Sequence, residues 1–117
     1  MSDVTKTPLE QQLEAAKAIV DRRQTAMRLV DNRDFRKLIL EGFCLEDAAR
    51  YAQESGDPIL APEQRADALC MAQASGHLKR FINITIQMGA HAERELPHLE
   101  EAVADERAAP EGDEEVG

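Results

Sequence analysis

The residues best spaced for chemistry are His91, Glu95 and His98. One helical turn separates His91 from Glu95, and Glu95-Leu96-Pro97-His98 has the Glu-x-x-His spacing of helical di-iron sites. Such sites need a second copy of the motif and further carboxylates from other helices. This chain has one copy, and Pro97 distorts the turn that carries it. Surface histidines on a charged helix account for all three residues, so neither metal nor cofactor is expected. Cys44 and Cys70 form no close pair that suggests zinc or redox chemistry. A nucleophilic cysteine needs a histidine partner and an activating environment, and nothing in the sequence supplies either. Both read as reduced, partly buried thiols. His77 is a lone helical histidine beside Gly76. The chain has no glycine-rich phosphate loop, nucleophile elbow or kinase signature. No catalytic residue is assigned, and the chain reads as a non-enzyme.

The elements that carry these residues follow from composition. The chain has 117 residues, enough for one domain and a tail. Its aromatics are Phe35, Phe43, Phe81 and Tyr51, with no Trp. The core must therefore come from Leu, Ile, Val, Met and alanine, the best helix former. No stretch alternates with period two. The expected fold is all-α: an antiparallel pair of long helices with two short helices at the connection and a disordered acidic C-terminal tail.

Charge is unevenly placed. Of the net charge of −9, residues 100 to 117 carry −7, with Arg107 their single base. The body is nearly balanced and lacks a basic stripe with interleaved aromatics, so no direct nucleic-acid binding is expected. The start lacks the apolar core of a signal peptide, and no apolar run is long enough to span a bilayer. No membrane role is expected.

Residues 1–7 are a polar lead. Thr7-Pro8-Leu9-Glu10 is a helix start with a capping box. The spacing predicts a first helix from Pro8 to about Asp31, with a seam of Leu9, Leu13, Ala16, Val20, Met27 and Val30 that Arg23 interrupts, widened by Ile19 and Ala26. Asn32 or Asp31 ends it and caps a second helix that buries Phe35, Leu38, Ile39 and Phe43, with Gly42 placed to stop or kink it. A third helix follows from about Leu45 to Ser55, with Ala48, Ala49 and Ala52 inward, and Gly56-Asp57-Pro58 ends it. The last helix starts at Pro62 and runs to Leu96 or beyond Pro97 to about Glu106. Ala74, Leu78, Phe81, Met88 and Ala92 form its heptad-like seam, flanked by Ile82, Gly89 and Leu96. The helical domain is bounded at 8–107 and the acidic tail at 108–117, where no residue pattern can bury anything.

Two surfaces are candidates for partner contact. Ile84 and Ile86 lie off the seam, so the middle of the last helix is apolar on more than one side and needs a second cover. Phe81, Ile84, Ile86 and Met88 are its contact residues. Arg33, Arg36 and Lys37 form the other, a basic patch around Phe35 that could dock the acidic tail of another copy.

The chain resembles a family of small acidic helical proteins encoded among the head and virion morphogenesis genes of tailed bacteriophages. The resemblance spans roughly residues 15 to 107. It rests on Asn32-Arg33-Asp34-Phe35-Arg36-Lys37-Leu38-Ile39-Leu40-Glu41-Gly42-Phe43, on Glu46-Asp47-Ala48-Ala49-Arg50, on Pro62-Glu63-Gln64, on Gly76-His77-Leu78-Lys79-Arg80-Phe81, and on the acidic tail. Phe43 replaces the family's usual tyrosine, and Tyr51 a common aliphatic residue. The resemblance implies a non-enzymatic assembly or structural protein in the host cytoplasm or the virion. It would act through homo-oligomerisation or by docking to a virion partner. A phage regulator that binds and inhibits a host protein is the alternative.

Overall fold

A computed structural model describes residues 5–109, and the expected disordered tail falls almost wholly outside them. The described residues contain no strand. The helices are α1 (Pro8–Asp31), α2 (Arg33–Phe35), a π-helix π1 (Arg36–Asp47), α3 (Ala48–Ser55) and α4 (Pro62–Ala108). The fold is a pair of long helices with shorter ones at the connection.

Local chemistry sets the ends. Thr7 Oγ1 accepts from the Glu10 N–H at 3.2 Å, and Glu10 Oε1 accepts from the Thr7 N–H at 3.0 Å, a reciprocal capping box. Asn32 Oδ1 accepts from the Phe35 N–H at 2.9 Å and so starts α2. Asp57 Oδ1 accepts from the Ile59 N–H at 3.0 Å in the turn after α3. Gln64 Oε1 takes the Ala61 N–H at 3.0 Å at the start of α4. The last helix runs unbroken through Gly76 and Pro97. Pro97 has no N–H to donate and crowds the Glu93 carbonyl, a local cost that α4 absorbs.

The described chain divides into two compact units, one of residues 5–24 and 87–109, the other Thr25–Ile86. In the first, Ala16 and Val20 of α1 pack with Ala92 of α4, bordered by Ile19, Leu96 and Leu99. Arg107 Nη2 donates to Glu10 Oε2 at 2.8 Å, and Arg23 Nη1 approaches Glu93 Oε1 at 3.4 Å. As α1 numbers rise, their partners on α4 fall, which makes the two segments antiparallel. Arg23, the polar interruption of the α1 seam, lies over Gly89. A Cβ at Gly89 would come within 2.6 Å of Arg23 Cδ and 2.8 Å of Cγ, and closer still to its Cβ. The glycine is the gap that lets this seam carry an arginine.

In the second unit, α2, π1 and α3 follow one another without a break, so Gly42 does not stop the helical run. In π1 hydrogen bonds join residues five apart, so positions four and five apart share a face. The wider turn changes which residues are inside. Leu38, expected to be buried, is 71% exposed, while Cys44 is buried and Leu40 half-buried. A side chain at Gly42 would sit 3.2 Å from the Lys37 carbonyl oxygen, five residues back. Cys44 Sγ donates to the Ser75 carbonyl of α4 at 3.7 Å and ties π1 to that helix. In α3 the half-buried residues are Ala48, Tyr51, Glu54 and Ser55, whereas Ala49 and Ala52, expected inward, are exposed. Tyr51 is drawn in under the Arg50 guanidinium, 4.5 Å above its ring.

Candidate functional site

The inward seam of α4 is a heptad one residue along from the expected one. Ala68, Ser75, Ile82, Gly89 and Val103 are buried, with Leu96 half-buried in the same register. Ala92 is buried in the complementary position, where Met71, Leu78, Thr85 and Leu99 are half-buried. Three seam residues of the sequence reading, Ala74, Phe81 and Met88, are exposed. Leu78 and Ala92 do face inward, as do the flanking Ile82, Gly89 and Leu96. On α1 the expected seam holds from Leu9 to Val20, but Met27 turns outward and Ala26 lies further inward.

The displaced column is itself regular. Cys70, Ala74, His77, Phe81, Ile84 and Met88 recur at spacings of three and four on the exposed side of α4. Phe81 is 55%, Ile84 36% and Met88 53% exposed. Ile86 is half-buried and stands apart from that column. α4 therefore carries one apolar seam inside and a second, exposed apolar column outside. From Ala68 to Ala92, α4 contains no acidic residue, although the chain holds 23 acids. The charged side chains in that stretch are Lys79 and Arg80, both exposed and neither in an ion pair among the described residues. An absence of acids over a defined stretch is a signal that could have been read from the sequence.

The basic patch is also exposed. Arg33, Arg36 and Lys37 are at the surface and make no ion pair among the described residues. Asp34, Lys37 and Leu38 line a shallow, mostly apolar depression of about 340 Å³. Phe35 is half-buried. The acidic segment expected to dock here lies outside the described residues.

A second concavity, about 440 Å³, is lined by Tyr51, Glu54, Asp57, Leu60, Gln64, Asp67 and Ala68. Its acids do not gather: among the described residues no group of three His, Cys, Asp or Glu is placed to hold a metal ion. His91, Glu95 and His98 are all exposed on α4. Cys44 is buried and Cys70 exposed, both unlinked. Glu10 has its carboxyl held below the ordinary value of 4.5, first by the Thr7 N–H and then by Arg107. That is the chemistry of a helix start.

No helix among the described residues is long and apolar enough to cross a membrane. The chain matches no family model, no curated protein and no solved structure.

Proposed function

We propose that the protein is a non-enzymatic helical assembly protein that works by covering the exposed apolar column of α4 with a partner. The observation that carries this reading is the second heptad column, with Phe81, Ile84 and Met88 facing outward. Burying apolar surface of this kind is the usual driving term of association. The resemblance to phage morphogenesis proteins favours a virion component as that partner, and with it a location in the host cytoplasm or the particle. The alternative partner is a host protein that a phage regulator would inhibit.

Affinity capture of the tagged protein from producing cells, alongside its Phe81→Asp/Ile84→Asp variant, tests this. A capsid, portal or tail protein held by the wild type and lost from the variant supports virion assembly. A host enzyme lost in the same way supports the inhibitor. Identical recoveries from both would remove α4 as the working surface.

A further inference from the structure

We infer that π1 is a two-register element: its wide turns are poised to tighten into an α-helix that takes Leu38 inside and frees Cys44 from the Ser75 carbonyl. A π-helix is rare, mostly a single turn inside an α-helix, and frequent at functional sites. Here it runs for 12 residues, Arg36–Asp47. Counted from Phe35, the structure turns Ile39, Leu40, Phe43 and Cys44 inward, at the four-and-five spacing of a π-helix. Counted the same way at α-helical spacing, the inward set is Leu38, Ile39, Gly42 and Phe43, and Cys44 falls on the opposite face. Phe35, Ile39 and Phe43 belong to both sets. The two registers therefore bury nearly the same apolar side chains, and near-equal packings of one sequence are the basis of a two-state element.

Two features hold the wide register. Cys44 Sγ donates to the Ser75 carbonyl at 3.7 Å, a weak bond that lasts only while π1 keeps its wide turns. Gly42 favours those turns as well. A Cβ there would stand 3.2 Å from the Lys37 carbonyl oxygen, five residues back, and no packed side chain lies within 4 Å. An α-helix turns that carbonyl away, because its hydrogen bonds reach four residues back. The register also decides what the surface presents. In the wide register Leu38 is 71% exposed and, with Asp34 and Lys37, lines the depression of about 340 Å³ beside the basic patch. In the α register Leu38 is withdrawn, and the depression loses its apolar wall.

The test is alkylation of the full chain by iodoacetamide, followed at each cysteine by peptide mass mapping, with exposed Cys70 as the internal reference. Cys44 should react more slowly than Cys70, at a rate that low urea leaves unchanged, because a change of register exposes little new surface. Leu38→Glu should slow Cys44 about tenfold, by penalising the register that buries residue 38. The urea midpoint should hold in that variant, because Leu38 is exposed. Gly42→Ala should speed Cys44 about fivefold, by crowding the wide turn. A Cys44 rate that follows global unfolding across the urea series overturns the inference, since π1 then has one register. So does a partial opening that Leu38→Glu leaves unchanged, which is ordinary local unfolding. The Leu38→Glu arm decides the matter even where Gly42→Ala unfolds the chain.

Discussion

The two units of this chain treat apolar surface in opposite ways. In the unit of residues 5–24 and 87–109, small side chains and one glycine bring two helix segments close, and Met88 is its one exposed large apolar residue among the described positions. In the unit Thr25–Ile86, Leu38, Leu45, Ile59, Leu69 and Phe81 are all exposed, and the buried set is Cys44, Ala68, Ser75 and Ile82. The first unit has used its apolar residues on itself. The second keeps a surplus outside, which folding alone does not explain. The difference is one of exposed apolar surface, small in the first unit and larger in the second.

The sharpest way to break this comparison is within a single pair of neighbours on α4. Ile82 is buried and Phe81 exposed, so the smaller side chain should matter more to stability. Ile82→Ala should cost about 2–4 kcal/mol in denaturant unfolding, by lost transfer energy and the cavity left behind. Phe81→Ala should change stability by less than about 0.5 kcal/mol, as a surface substitution does. Equal losses would mean that the two columns are not distinct and that the exposed one belongs to the interior.

The two glycines of α4 give the next effect. Both should gain helix propensity on conversion to alanine, by about 1 kcal/mol. At Gly76 nothing lies within 4 Å of the new Cβ, so Gly76→Ala should raise stability by close to that amount. At Gly89 the new Cβ meets the root of the Arg23 side chain, so Gly89→Ala should instead lose roughly 1–3 kcal/mol through overpacking. Arg23→Ala in the same chain should recover only part of that loss, because the nearest atom is the Arg23 Cβ, which alanine keeps. A Gly89→Ala protein as stable as Gly76→Ala would show that the helices are not held at this separation.

These contrasts also mark what could be read in advance. Helix starts were legible because a cap is a local event: Thr7 with Glu10, and Asn32 with Phe35, need only their near neighbours. The α1 seam was legible to Val20 because its residues are apolar in register. The α4 seam was placed one residue off for a physical reason. The true column holds Ser75 and Gly89, which do not look apolar, while the adjacent column holds Ala74, Phe81 and Met88, which do. Ser75 is tolerated inside because its hydroxyl donates to the Ala72 carbonyl at 2.7 Å, and Gly89 because Arg23 fills its space. The error put Phe81 and Met88 in the inward seam, whereas both are exposed, as is Ile84. In π1 the failure was one of period: a 3.6-residue repeat places Leu38 inside, and only the wider turn puts Cys44 there.

The smallest expected effect tests whether the first unit is also held electrostatically at its ends. Glu10 receives the Thr7 N–H and the Arg107 guanidinium, and both favour its charged form. Its folded pKa therefore lies below the ordinary 4.5, so its contribution is fully present above that value and is lost as pH falls through the folded one. Wild type should have a higher Tm than Glu10→Gln near neutral pH, and the gap should close as the solution is acidified below 4.5. Because the Thr7 N–H is the first cause and Arg107 the next, Arg107→Gln should reproduce part of that gap but not all of it, and the part it removes should shrink with added salt. The Glu10 side chain is only half-buried and Arg107 is exposed, so the shift in Tm will be small, and its pH dependence is the signature to measure. A gap that persists unchanged at low pH would assign the role of Glu10 to packing and leave the antiparallel seam around Gly89 as what fixes these helices together.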